Sequence, residues 1–231
     1  YRNIGDAFIR LRMYKEAIDA LVKVTELSKP ESVILEAIGH CYDKLKNYAQ
    51  ARFFYRKATH INKEDSKLFY KIACTYFNEN QWESCIKQIE TALRLQGNHA
   101  EYYLLLGECK MRTGFMSQAI HSFSEVVRLR PKNSKGWEAF IRCLFYAGYF
   151  DEALEQLEAA LSITDGKSIF KYYKAAVLFS LGKSKEALLQ LEDAIIQAPR
   201  MLKQFVELHP AILQNQQVVD CIAKYKKRKG K

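Results

Sequence analysis

The side chains that could hold a metal or move a proton are few in this 231-residue chain, and their spacing suits neither task. Five histidines, His40, His60, His99, His121 and His209, stand far apart. A structural zinc site closes a tetrahedron of ligands, usually drawn from pairs only a few residues apart. The nearest approach to such a pair is His40 with Cys41, and adjacent residues on a helix point apart. No metal site is expected. Asp151 and Glu152 are neighbouring carboxylates, but they fall at a helix start, where negative charge is stabilising without any acid–base role. The glycines are scattered rather than gathered into a phosphate-cradling loop. No nucleophile stands beside a base. No catalytic residue and no cofactor are assigned, and the chain is read as not an enzyme.

The elements carrying these residues explain the scatter. Residue sizes recur every 34 positions, with neither insertion nor deletion. One column holds Gly5, Gly39, Ala73, Gly107, Ile141 and Ala175. A second holds Ala17, Ala51, Cys85, Ala119, Ala153 and Ala187, and a third Val24, Ala58, Ala92, Val126, Ala160 and Ala194. Large residues fill adjoining columns: Phe8, Tyr42, Tyr76, Leu144 and Leu178 in one, Leu21, Tyr55, Ile89, Phe123, Leu157 and Leu191 in the other. Small against large, repeated, is how a layered core reaches native density. Each period holds two stretches with helical spacing of apolar side chains. Asn80, Gly114, Gly148 and Gly182 stand between them and tolerate the left-handed conformation that ends a helix. Pro30, Pro131 and Pro199 mark joins between periods, where a helix must stop. A fixed period of this length implies one helix hairpin stacked on itself.

The columns resemble those of the tetratricopeptide repeat family. Gly39, Tyr42, Tyr48, Ala51, Tyr55 and Ala58 carry the likeness in one period; Tyr103, Leu106, Gly107, Ala119, Phe123, Val126 and Pro131 carry it in another. The resemblance implies an all-α fold, a right-handed α–α superhelix of six helix hairpins with C-terminal capping helices. The repeats are expected at about 1–31, 32–65, 66–99, 100–133, 134–167 and 168–200, forming one array over 1–199. Ile141, Lys110, Lys174 and Ser184 depart from the family pattern, so local distortion is expected near the fifth and sixth repeats.

Beyond Pro199 the period breaks. Met201, Leu202, Phe205 and Leu208 predict a short helix, and Asn215 resembles an N-cap for a last helix bearing Val218, Val219, Cys221, Ile222 and Tyr225. These capping helices, residues 201–223, are expected to cover the end of the sixth repeat. A basic tail, 224–231, supplies +6 of the formal +10 through Lys224, Lys226, Lys227, Arg228, Lys229 and Lys231, leaving about +4 for the body. Such a tail reads first as a solvated helix end and second as a contact for phosphate backbones. The chain opens at Tyr1 already within a helical pattern. Sequence upstream is therefore expected, with the face around Ile4 and Phe8 incompletely covered.

Six cysteines act as small packing residues: Cys41, Cys109 and Cys143 share one column, and Cys85 replaces a column alanine. Unpaired thiols in this number fit a reducing, cytoplasmic setting. No signal-peptide pattern and no membrane-length apolar run is present, so no membrane partner is expected.

The family resemblance places the first helix of each hairpin on a concave face. The columns there include Glu36, His40 and Asp43; Lys67, Tyr70, Cys74 and Phe77; Glu101, Leu104, Glu108 and Met111; Lys135, Glu138, Arg142 and Phe145; Ile169, Tyr172, Ala176 and Phe179. Exposed aromatic rings offer contact area with little rotamer entropy to lose. The expected partner-binding residues are Lys67, Tyr70, Phe77, Arg112, Arg142, Phe145, Tyr146, Tyr172 and Phe179, and the expected partner is an extended peptide or helix of another protein. Chaperone tails fit poorly. Where that branch of the family presents its carboxylate clamp, this chain has Arg2, Asp6, Ala37, Lys67 and Lys71, and Asp6 would repel a carboxylate. Two alternatives remain: nucleic-acid binding through the basic tail, with Arg10 and Arg12, and self-association through the open N-terminal repeat.

Overall fold

A computed structural model describes the backbone of residues 1–229 and the side chains as far as residue 225. All regular structure among the described residues is helical. The chain divides into two compact units, residues 1–119 and 120–231. In the first, α1 (Arg2–Arg10) pairs with α2 (Tyr14–Leu27), α3 (Ser32–Lys44) with α4 (Tyr48–Ile61), and α5 (Ser66–Asn78) with α6 (Trp82–Leu95); α7 (Ala100–Arg112) follows. The division falls inside α8 (Met116–Leu129). In the second unit α9 (Ser134–Ala147) pairs with α10 (Phe150–Ile163) and α11 (Ser168–Ser180) with α12 (Ser184–Gln197). Two short helical turns then frame α13 (Leu202–Leu208), and α14 (Gln216–Lys229) ends the chain.

The small columns are where helices meet most closely. A Cβ on Gly39 would stand 2.7 Å from the Tyr55 ring, and one on Gly5 would stand 2.6 Å from Leu21. The large partners are sealed: Leu21 and Tyr55 are 1% exposed and Ile89, Phe123, Leu157 and Leu191 fully buried. Ala17, Ala51, Cys85, Ala119, Ala153 and Ala187 are buried without exception.

The fifth period departs from the others at Ile141: α9 and α10 meet less closely than the other paired helices described, as expected where isoleucine replaces the small residue between them. Five residues before the small column the other periods carry Ile34, Leu68, Tyr102 and Phe170, whereas the fifth carries Gly136. A Cβ there would meet Val126 at 2.6 Å, so α9 approaches α8 closely at Gly136, and the Ile141 side chain is fully buried. The two lysine departures are met by ion pairs, whereas Ser184 opens α12. Lys110 pairs with Glu90 at 3.4 Å, and Lys174 with Glu158 at 2.5 Å.

The turns obey the left-handed requirement. Asn80, Gly114, Gly148 and Gly182 have φ of 58°, 83°, 80° and 75°; Arg12 and Lys46, in the same column, adopt 60° and 59° without glycine's freedom. At the C-terminal end, Asn215 Oδ1 accepts from Gln217 N at 3.0 Å and caps α14, which lies along α12. Near the start, Ile4 is 50% exposed and Phe8 half-buried.

Gly39→Ala will force the new methyl into the Tyr55 ring, which is itself locked in the core. We expect a loss of about 1–3 kcal/mol of unfolding free energy in urea titration. A variant as stable as the parent would show that the two helices can part without cost.

Candidate functional site

In residues 1–119 the exposed flank of the first helices is a face the core does not consume. Glu36, His40 and Asp43 on α3, Tyr70, Cys74 and Phe77 on α5, and Leu104, Glu108 and Met111 on α7 are all half-buried, and Lys67 is exposed. Helical spacing aligns them because the buried stripe of each helix (Ile34, Leu35 and Ile38; Leu68 and Ile72) lies on the opposite side.

Aromatic contacts fix two parts of this face. The Tyr70 ring stacks on Tyr102 with centroids 4.9 Å apart, and Tyr102 stacks in turn on His99 at 4.5 Å. Ser66 Oγ lies 3.1 Å from the Tyr102 hydroxyl and anchors the stack. Phe77 meets the edge of Trp82 at 5.2 Å, and the Arg112 guanidinium lies 5.9 Å from the Trp82 ring centre. Phe77, Trp82 and Arg112 therefore form an aromatic–cation trio spanning α5, α6 and α7. Trp82 was not among the expected site residues. Its column (Tyr14, Tyr48, Trp82, Met116, Phe150) is large in five periods and reads as packing.

Charge on this face is mixed and largely internal. Lys71 Nζ lies 2.5 Å from Glu36 Oε1. Burial, then the nearby Lys71 and Lys44, lower the His40 pKa, so its imidazole is neutral at pH 7. Asp43 Oδ1 is buried with no hydrogen-bond partner among the described residues, leaving one acceptor to be met by water. Thiol chemistry is disfavoured here: burial pushes both Cys41 and Cys74 up to about 11, the latter despite its hydrogen bond with Tyr70. Cys85 is raised further by contact with Cys109 and by burial. No group of three His, Cys, Asp or Glu among the described residues could hold a metal ion. No helix among them is long and apolar enough to cross a membrane.

The second unit treats its first-helix face differently. Tyr172, expected to meet a partner, is completely buried, and this expectation is corrected. Its hydroxyl donates to the Ala198 carbonyl at 3.1 Å, and its ring packs on Phe205 of α13 at 5.9 Å. Ile169 and Ala176, in neighbouring columns, are buried with it. The same segment reaches α9, where His209 lies 5.5 Å from the Phe145 ring. Phe145 also meets the edges of Tyr146 and Phe150. Tyr146 remains 48% exposed, whereas Arg142 and Phe179 are half-buried. The chain after Pro199 thus does two jobs: α14 covers α12, and α13 covers α11. Of the basic run, Lys224 lies 3.7 Å from Glu192; the side chains of Lys226, Lys227, Arg228, Lys229 and Lys231 lie outside the described residues.

Comparison with known proteins agrees with this architecture. Residues 44–126 match the model of the anaphase-promoting complex, cyclosome, subunit 3, and residues 138–200 and 1–30 match models of the tetratricopeptide repeat. Intraflagellar transport protein 70A of Xenopus tropicalis is 22% identical over 190 residues, covering 81% of this chain and 28% of that protein. The chain therefore spans less than a third of that curated relative. Among solved structures, the C-terminal part of a TPR repeat-containing protein from Cytophaga hutchinsonii aligns with a TM-score of 0.79 at 15% identity, covering 98% of this chain and 93% of that one. YrrB, described as a TPR protein with an unusual peptide-binding site, aligns with a TM-score of 0.67 at 21% identity over 79% of this chain and 94% of its own. At these identities the likeness is one of fold.

Two outcomes follow for the covered face. Tyr172→Phe removes the bond to the Ala198 carbonyl, which keeps only the Met201 N–H as donor; we expect a loss of about 0.5–1.5 kcal/mol by urea denaturation. His209 has its pKa lowered from 6.5 by burial. The unfolded chain therefore takes up this proton first as pH falls. Its contribution to stability is full above about pH 6.5 and declines below it. In His209→Gln the decline in melting temperature between neutral and mildly acid pH should be shallower; an unchanged slope would exclude His209 as its source.

Proposed function

The chain belongs to the tetratricopeptide repeat family, and on that footing we propose that it is a non-catalytic scaffold holding a peptide or helix of another protein on the first-helix face of residues 1–119. The observation that carries this reading is the contrast between the two units. Arg112 is exposed and Tyr70 and Phe77 are half-buried on the core beneath them, while the corresponding stretch of α11 is occupied by the chain's own α13. Rings held by stacking lose little freedom when a guest arrives, which suits them as anchors. Lys67 and the Lys71–Glu36 pair border them and discriminate by charge. Within the second unit, taken by itself, Arg142, Phe145, Tyr146 and Phe179 are proposed as partner contacts, with Tyr146 exposed and the other three half-buried.

The guest is the flexible party. Ordering it costs roughly 2–5 kcal/mol, which places the affinity in the micromolar class. The repeat boundaries stated above, an array over 1–199 with caps over 201–223, form part of this proposal, as does a reducing, cytoplasmic setting for the six unpaired thiols.

The experiment is capture of the bound protein from a cell extract, followed by calorimetry with the purified partner. Phe77→Leu combined with Arg112→Ala should weaken binding about tenfold or more, as expected for loss of an aromatic–cation anchor, with the melting temperature little changed. Equal affinity in the double variant eliminates this face. Tyr70→Ala provides an independent second position.

A further inference from the structure

Two second helices carry opposite and unbalanced charge on faces that the core and the proposed guest site leave unused. α4 contains Arg52, Arg56 and Lys57 and no acid; α10 contains Asp151, Glu152, Glu155 and Glu158 and no base. On α4, Arg52 is already paired with Glu79 at 2.5 Å. Arg56 donates to a neutral group, the Tyr76 hydroxyl, and Lys57 Nζ lies 4.4 Å over the Phe53 ring. Two cations thus stand at the surface with no carboxylate partner among the described residues. Between them Phe53 is 49% exposed, and His60 closes a shallow hollow beside it.

On α10 the pattern is the mirror image in sign. Glu158 is paired with Lys174, whereas Asp151, Glu152 and Glu155 are exposed and form no ion pair among the described residues. Tyr149, at the start of this helix, is 51% exposed. Each patch is therefore an exposed aromatic ring flanked by unpaired charge of one sign, and both occur in the same chain.

We propose that these patches are the two halves of a self-association contact, in which the α4 face of one copy docks on the α10 face of another. The occupant is a second copy because the complementary patch is encoded in the chain itself, matched in sign and in its single exposed ring. The contact is heterologous, joining two different surfaces. It uses α4 and α10 instead of the N-terminal repeat that the sequence pointed to for self-association. Exposed ion pairs contribute little each and are screened by salt, so the association is weak and strongly dependent on ionic strength.

The test uses the full chain in sedimentation velocity over rising protein concentration, at about 20 mM and about 500 mM salt. The expected result is a mass that climbs above the monomer at low salt and returns to it at high salt. Arg56→Glu with Lys57→Glu should remain monomeric alone, as should Glu152→Lys with Glu155→Lys. Mixing the two variants should restore association, since the intact α10 face of the first meets the intact α4 face of the second and the reversed faces also match. These residues are exposed, so circular dichroism should be unchanged. Where a reversal lowers the melting temperature, the neutral pair Arg56→Gln with Lys57→Gln and the pair Glu152→Gln with Glu155→Gln take its place, each weakening association about tenfold. A wild type that stays monomeric throughout overturns the proposal, as does association surviving in both charge variants or a mixture that stays monomeric.

Discussion

In the first two hairpins the paired helices come together where one backbone meets a large side chain with no Cβ intervening. Gly39 against Tyr55 and Gly5 against Leu21 set that separation, and the alanines facing them leave no void to relax into. A close-packed interior transmits such a constraint without slack. The fifth period departs from this arrangement, and its two helices meet less closely. Gly136 and Ile141 reverse the sizes found at Tyr102 and Gly107 one period earlier, and both are buried.

Once the cores are closed by the columns facing inward, the remaining side of each first helix is free to vary. That freedom explains how Glu36, Tyr70 and Leu104 occupy equivalent positions with unlike chemistry. It also explains how the second unit can cover its own face. Burying Phe205 and Leu208 against α11 removes two large apolar side chains from water, each worth about 1.5–3 kcal/mol. The hydroxyl of Tyr172 then adds a second donor, beside the Met201 N–H, to the Ala198 carbonyl just after α12. A face built of Ile169, Tyr172 and Ala176 is more apolar than its counterparts in the first unit and is suited to a permanent internal partner.

The fold was legible because its determinants are periodic. Columns of small and large residues, Asn80 and the glycines at the turns, and Asn215 at the start of α14 are local signals, and each is found where its chemistry requires. The site was legible only in part. Tyr172 shares its column with residues that are half-buried elsewhere, and what seals it comes from α13, outside the period altogether. Trp82 was hidden for the opposite reason, since a large residue is normal in its column and only the three-dimensional contact with Phe77 and Arg112 sets it apart. Arg12 and Lys46 gave no sign of their left-handed backbone, because neither side chain favours it and the neighbouring helices impose it.

The chain has two tryptophans, and they fall one to each unit. Trp137 is 5% exposed and its indole N–H donates to the Pro131 carbonyl at 2.7 Å, a dry and fixed environment. Trp82 is half-buried beside a guanidinium, where solvent reaches part of the ring. The two indoles therefore emit from dissimilar surroundings, and replacing either one by phenylalanine isolates the fluorescence of the other. Each half of the molecule carries its own optical reporter, so that fraying of one half while the other holds would be visible as a change in only one colour of the emission.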